Sequence, residues 1–170
     1  KHSLFNSWCI AQGISSPLTL QGTDSRYRFM SSVENDVSGN LLNVPLDACI
    51  TADTTEALAE RLIFEKSLVI DSKFAPFIDM FPSLQDLKDM PRFWDLSRLE
   101  KVMDGGQLKQ RIKYSESKDA DPWALAICNS RANYLDDFSY SLTPVLDMIN
   151  HDASVPTRAK VSDGAFVLSV

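Results

Sequence analysis

The chain has 170 residues, of which 44% are hydrophobic and 24% are charged, as in an ordinary globular domain with its own core. The formal net charge of −6 argues against binding to nucleic acid, because a phosphate backbone needs a surplus of Lys and Arg on one face. No long apolar run occurs, so the sequence predicts no transmembrane segment.

The three cysteines, Cys9, Cys49 and Cys128, are far apart and form no CxxC pair. This spacing argues against a zinc site, and we predict no bound metal. Each cysteine lies in an apolar stretch. We therefore expect buried free thiols in a reducing compartment.

The first part of the chain is predicted to form one helix followed by short strands. The helix is expected at 3–13, with a face of Leu4, Trp8 and Ala11 and with Phe5 and Cys9 beside it. Four short strands are expected between polar turn residues, at 18–20, 27–31, 40–44 and 48–50.

The middle of the chain is predicted to be helical. The clearest helix covers 54–68, because Asp53, Thr54 or Thr55 can cap it and Glu56 stands near the positive end of its dipole. Further helical pieces are expected at 73–80, 95–103, 107–113 and 123–135.

The C-terminal part returns to strands. Pro144 precedes an apolar run that ends at Asn150 and His151, and a hairpin is expected from 158–161 and 165–170. The order of elements predicts an α+β fold. Its parts are a strand block at 15–52, a helical insert at 53–135 and a second strand block at 140–170.

Asp147, Asn150 and His151 are the polar residues at the end of the apolar run. They could be catalytic, could bind a ligand, or could hold the backbone through hydrogen bonds, which is the usual role of such residues. A triad of Ser130, His151 and Asp147 is a further hypothesis, but no G-x-S-x-G motif surrounds any serine. No glycine-rich nucleotide-binding motif occurs.

Two blocks resemble a known family. Asn129-Ser130-Arg131-Ala132, followed by TPVLDMINH at 143–151, is similar to the SR…P-x-x-D-[ML]-[IL]-N-H pattern of SET-domain protein lysine methyltransferases of the Rubisco-methyltransferase class. Segments at 3–13, 36–45, 54–68, 72–77 and 90–94 resemble other family segments in the same order. The likeness spans nearly the whole chain and implies a partial SET domain.

The resemblance implies transfer of a methyl group from S-adenosyl-L-methionine to a lysine of a protein substrate. In this family the enzyme aligns a neutral amine with the sulfonium of the cofactor, mostly by positioning and by excluding water. By resemblance, Arg131, Asn150 and His151 hold the cofactor. By the same resemblance, Ser130, Asp147 and Ile149 line the channel of the substrate lysine.

The chain departs from the family pattern in two places. The glycine-rich turn E-G-x-G-L is replaced at 24–29 by DSRYRF, whose side chains restrict a close backbone approach to a ligand. The family's late tyrosine and its C-terminal substrate-binding domain have no counterpart up to Val170. We expect the chain as given to be inactive alone.

Two functional hypotheses follow from these features. The first is a lysine methyltransferase. The second is a catalytically inactive SET-like scaffold, or a subunit of a larger complex that could be photosynthetic. The family occurs in chloroplast, cytoplasm and nucleus, and we favour the chloroplast because several relatives modify photosynthetic proteins.

Overall fold

The computed structural model describes residues 2–21, 29–31, 39–94, 120–135, 139–149 and 156–170. The predicted α+β class is confirmed, because these residues form helices and small antiparallel sheets. None of the helices in these ranges is both long and apolar enough to cross a membrane. The helical pieces predicted at 95–103 and 107–113 lie outside the described residues.

The described helices and strands alternate in blocks along the chain. The α-helices are α1 (His2–Ala11), α2 (Thr55–Ser67), α3 (Ala75–Ile78), α4 (Leu84–Leu87) and α5 (Pro122–Arg131). The strands are β1 (Thr19–Gln21), β2 (Phe29–Ser31), β3 (Asn40–Pro45), β4 (Ile50–Ala52), β5 (Asn133–Tyr134), β6 (Tyr140–Leu142), β7 (Arg158–Ser162) and β8 (Ala165–Ser169). Short 3-10 turns cover Leu46–Ala48, Val69–Asp71, Pro91–Phe93 and Leu146–Met148.

The strands form three small sheets in which all pairs are antiparallel. β1 pairs with β2, while the other two sheets have the orders β3-β8-β7 and β4-β6-β5. In register, Asn43 faces Val167 and Ile50 faces Leu142. Strands that precede the described helices α2 to α5 therefore pair with strands that follow them.

Several predicted elements are confirmed, with small shifts of their ends. The hairpin of β7 and β8 turns at Asp163 and Gly164, which both have positive φ, as a tight two-residue turn requires. Helix α2 is capped by Thr54, whose hydroxyl oxygen accepts a hydrogen bond of 3.1 Å from the Ala57 amide. Sequence and structure agree here because the signals are local.

Two predicted boundaries are wrong. The strand expected at 48–50 begins at Ile50, because the Cys49 amide bonds the Leu46 carbonyl at 3.1 Å and closes a 3-10 turn. The helix expected at 123–135 ends at Arg131, because Asn133 and Tyr134 pair with Ser141 and Tyr140.

The apolar face of α1 is also different from the predicted one. Phe5, Trp8 and Cys9 are buried, whereas Leu4 and Ala11 are exposed. The rings of Phe5 and Trp8 stack on Phe77, which turns the helix away from the predicted face.

The core lies between the helices and the sheets. Helix α2 contributes Leu58, Ala59 and Leu62, and α5 contributes every residue from Trp123 to Cys128. A row of aromatic rings in stacked, tilted and edge-on contacts extends this core from α1 to α5, consisting of Phe5, Trp8, Phe77, Phe81 and Trp123. Both indoles are satisfied, because Trp8 donates to the Lys73 carbonyl and Trp123 donates to the Pro82 carbonyl.

The three cysteines are free and buried, as predicted. Burial raises the pKa of Cys9 and of Cys128 to about 12, and burial also raises the pKa of Cys49. Because the unfolded thiols ionise near pH 9, the unfolded chain loses protons first as the pH rises. The buried thiols therefore favour the folded state fully below pH 9 and lose this contribution up to about pH 12.

Between pH 9 and pH 10.5 we expect the free energy of unfolding to fall more steeply in the wild type than in the Cys9→Ala/Cys128→Ala variant. Each of the two thiols adds at most ~1.4 kcal/mol per pH unit to this slope. Urea denaturation at both pH values measures this difference. The variant is the control for lysine and tyrosine titration. If the free energy of unfolding fell equally with pH in the two proteins, the raised pKa values of Cys9 and Cys128 would be contradicted.

Candidate functional site

The two sequence blocks that resemble the SET family meet in the structure. Ser130 and Arg131 form the last turn of α5, and Asp147 lies in the 3-10 turn Leu146–Met148. The guanidinium of Arg131 donates through Nη1 to Oδ2 of Asp147 in a close ion pair. The side chains are 28% and 12% exposed, so the pair lies at the edge of the interior.

Hydrogen bonds at both ends of helix α5 hold Arg131 in position. Asp121 caps the start, where its Oδ1 accepts a hydrogen bond of 2.9 Å from the Ala124 amide. At the other end the Ala132 amide donates to the Cys128 carbonyl at 2.8 Å. The side chain amide of Asn133 donates to the Arg131 carbonyl at 3.2 Å. Sequence reasoning missed Asn133, which begins strand β5 directly after the helix.

The turn that carries Asp147 has an unusual backbone. Val145, which is buried, has φ +72° and ψ −34°. A β-branched residue rarely adopts positive φ, and the conformation costs about 1–3 kcal/mol. Two hydrogen bonds close the turn after it, from Met148 to the Val145 carbonyl and from Ile149 to the Leu146 carbonyl. The strained residue thus fixes the direction in which Asp147 leaves the backbone.

Two polar atoms of the ion pair have no hydrogen-bond partner among the described residues. They are Nε of Arg131, a donor, and Oδ1 of Asp147, an acceptor, and both atoms are buried. Leaving such an atom unsatisfied costs about 1–3 kcal/mol, so buried polar atoms without partners are rare and call for an explanation. The ion pair therefore leaves one donor and one acceptor without a partner among the described residues.

The remaining predicted site residues have different surroundings. The Ser130 hydroxyl donates to the Ala126 carbonyl of its own helix at 2.7 Å, and Ile149 is half-buried at the margin of the core. Asn150 and His151, which follow Ile149 directly, lie outside the described residues, as do residues 24–28 of the diverged glycine turn. The proposed triad of Ser130, His151 and Asp147 therefore stays a hypothesis.

The part of the chain that the structure describes contains no set of side chains that could bind a metal ion. No group of three or more His, Cys, Asp or Glu side chains there is close enough to hold an ion.

Comparison with known proteins adds no relative. No family model matches the chain, and no curated protein is similar enough to count as a match. The likeness to the SET family therefore rests on the sequence blocks quoted above.

Proposed function

We propose that the chain is part of a SET-domain protein related to the S-adenosyl-L-methionine-dependent protein-lysine N-methyltransferases. The observation that carries the proposal is the ion pair between Arg131 and Asp147. It brings the Ser130-Arg131 block against the block that ends in Asn150-His151, as a shared site requires. The pairing of β3 with β8 and of β4 with β6 fits strand blocks on either side of a helical insert.

The unsatisfied atoms of the ion pair suit the proposed cofactor. S-adenosyl-L-methionine carries a carboxylate, an ammonium group, ribose hydroxyls and adenine nitrogens, and it supplies a methyl group on a sulfonium when bound. Nε of Arg131 can donate to one of its acceptors, and the guanidinium charge suits a carboxylate. By resemblance, Asn150 and His151 complete the cofactor site.

The acceptor side of the pair suits the substrate lysine. Oδ1 of Asp147 can accept a hydrogen bond from an amine. Ile149 contributes an apolar wall that helps to remove water from the amine. Ser130 borders this channel only if its hydroxyl leaves the Ala126 carbonyl.

The second candidate is a SET-like scaffold without catalysis, present as a subunit of a protein complex. Specific contacts favour it. Ser130 is bonded to its own helix, and Arg131 and Asp147 bond each other, as residues with a purely structural role do. The replacement of both family glycines at 24–29 points the same way, because β-carbons restrict backbone approach to a ligand. For either candidate we favour a chloroplast location.

Calorimetric titration of the full-length protein with S-adenosyl-L-methionine, combined with a tritiated-methyl transfer assay, tests the proposal. We expect binding by the wild type and a loss of about tenfold or more in affinity for His151→Ala, since loss of a hydrogen bond to the ligand costs about 1.4 kcal/mol or more. His2→Ala is the matched control, because His2 is the only other histidine.

The outcomes separate the two candidates. Binding and transfer that depend on His151 support the enzyme. No heat of binding and no transfer, in a protein that unfolds cooperatively, would reject the enzyme and leave the scaffold. Strong methyl transfer by the wild type would reject the scaffold.

A further inference from the structure

A cleft of about 560 Å³ lies beside the C-terminal end of α2 and the start of α5, and neither Arg131 nor Asp147 lines it. We call it the Val69 cleft. Its walls include Glu65 and Lys66 of α2, the turn residues Val69 and Ile70, and Asp121 and Trp123 at the start of α5.

The rim of the Val69 cleft is unusually apolar for a surface. Val69, Ile70 and Leu84, which all line it, are 66%, 88% and 50% exposed. Single exposed apolar side chains are ordinary, but a contiguous group around a concavity is typical of a surface that binds a partner. Covering these side chains would remove apolar area from water and stabilise a complex.

The backbone at Val69, one of these exposed residues, is strained. Its φ of +52° lies in the left-handed region, which a β-branched residue rarely adopts. The Asp71 amide bonds the Leu68 carbonyl at 3.0 Å and closes the turn around it. Glycine would fit this turn without strain, so the presence of valine suggests a use for its side chain.

Acidic side chains outnumber basic ones in the Val69 cleft, which is lined by Glu65, Asp79, Asp86 and Asp121 beside Lys66. Glu65 accepts a hydrogen bond of 2.6 Å from the Ser72 hydroxyl, and Asp121 accepts one from the Ala124 amide. Both of these donors are neutral groups. The ammonium of Lys66 instead lies 3.6 Å from the ring centre of Trp123. The cleft therefore attracts cations beside its apolar rim.

We propose that the Val69 cleft binds a segment of a partner protein in which apolar side chains adjoin Lys or Arg. The apolar side chains cover Val69, Ile70 and Leu84, and the basic groups approach Glu65 and Asp121. The negative charge argues against nucleic acid and against anionic lipid as the occupant. This surface is separate from the site at Arg131, so it stands whether or not the chain methylates lysine.

Selection of random peptides displayed on phage, with the full-length protein as bait, tests the proposal. Enriched peptides are then synthesised with a fluorophore and titrated by fluorescence anisotropy. We expect them to combine Leu, Ile or Phe with Lys or Arg. Ile70→Ser should weaken their binding about tenfold, because it removes a fully covered apolar side chain.

Charge and control variants sharpen the test. Glu65→Gln keeps an acceptor for Ser72 and should weaken binding a few-fold at low salt, and this difference should vanish at high salt. Glu60→Gln, an exposed residue of α2 outside the cleft wall, and Ile10→Ser, an exposed residue of α1, should leave binding unchanged. Leu84→Ser serves as the second apolar variant if Ile70→Ser does not fold.

Four results would overturn the proposal. They are no enrichment of peptides, enrichment of acidic peptides, equal binding by wild type and Ile70→Ser, and enrichment of peptides that match residues 95–119 of this chain. The last would assign the cleft to the chain itself. Dimers of the wild type that Ile70→Ser dissociates would instead assign the cleft to a second copy.

Discussion

Phe77→Ala should lower the free energy of unfolding by about 3–5 kcal/mol, the range observed when a large buried aromatic side chain is truncated. The Phe77 ring is fully buried, and its centre lies 4.8 Å from that of Phe81 and 6.0 Å from that of Trp8. Removing the Phe77 ring takes away its contacts with α1. A cavity remains, because the surrounding rings cannot easily move together to fill it. Urea denaturation followed by tryptophan fluorescence measures the change.

Phe64→Ala is the matched control for this prediction. Phe64 is on α2 and is 60% exposed, so the same substitution removes little buried area. We expect its effect to stay within about 0.5 kcal/mol, as for surface substitutions in general. If both variants were destabilised equally, the aromatic row could not be a main part of the core.

Arg131→Met should destabilise the fold by about 2–3 kcal/mol. This estimate lies between the cost of breaking a buried ion pair and the small cost of breaking a surface pair, since Arg131 is 28% exposed and Asp147 only 12%. Without the guanidinium, the Asp147 carboxylate stays at the edge of the interior with no cation beside it. The free energy of unfolding from urea titrations measures the loss.

A double-mutant cycle separates the energy of the Arg131–Asp147 ion pair from the cost of leaving the Asp147 carboxylate without a cation. Arg131→Met/Asp147→Leu should recover at least half of the stability lost in Arg131→Met, because no isolated charge remains. Arg158→Met, on the exposed strand β7, is the control and should have little effect. A loss for Arg131→Met as small as that for Arg158→Met would show that the pair contributes no more than a surface contact.

Local signals in the sequence predicted part of the fold well. Thr54, Glu56 and the leucines at 58 and 62 define α2, since a cap and a helical repeat act within a few residues. The β7–β8 hairpin is equally local, because its turn at Asp163 and Gly164 sets the register.

Contacts between distant residues explain where the sequence reasoning failed. The apolar pattern of α5 continues to Leu135, but pairing with β6 converts Asn133 and Tyr134 into a strand. Likewise, Leu4 looked like a core residue of α1, and only the position of Phe77 shows why Phe5 is buried in its place. A single-helix pattern contains no information about the partner that covers it.

The roles assigned to the candidate site residues came from resemblance to a family and stay predictions. Motif spacing suggested that Arg131 and Asp147 share a site, and the structure joins them. The positive φ of Val145 could not be read from the sequence, because valine is among the residues least suited to it. The strained turn at Val69, which carries two of the exposed side chains of the proposed docking surface, could not be read from the sequence either.

The pairing of β3 with β8 also determines how the chain can fold during synthesis. Asn40 faces Ser169 and Val44 faces Phe166, so among the described strands β3 gains its sheet partner only when residues 165–169 have left the ribosome, although Ser15 already bridges Asn43. Contacts between such distant residues slow folding, because a long loop must close before they form. Meanwhile the buried side chains of Leu42 and Val44 are open to wrong partners. We therefore expect nascent chains that lack β8 to depend on chaperones and to stay protease-sensitive until β8 is added.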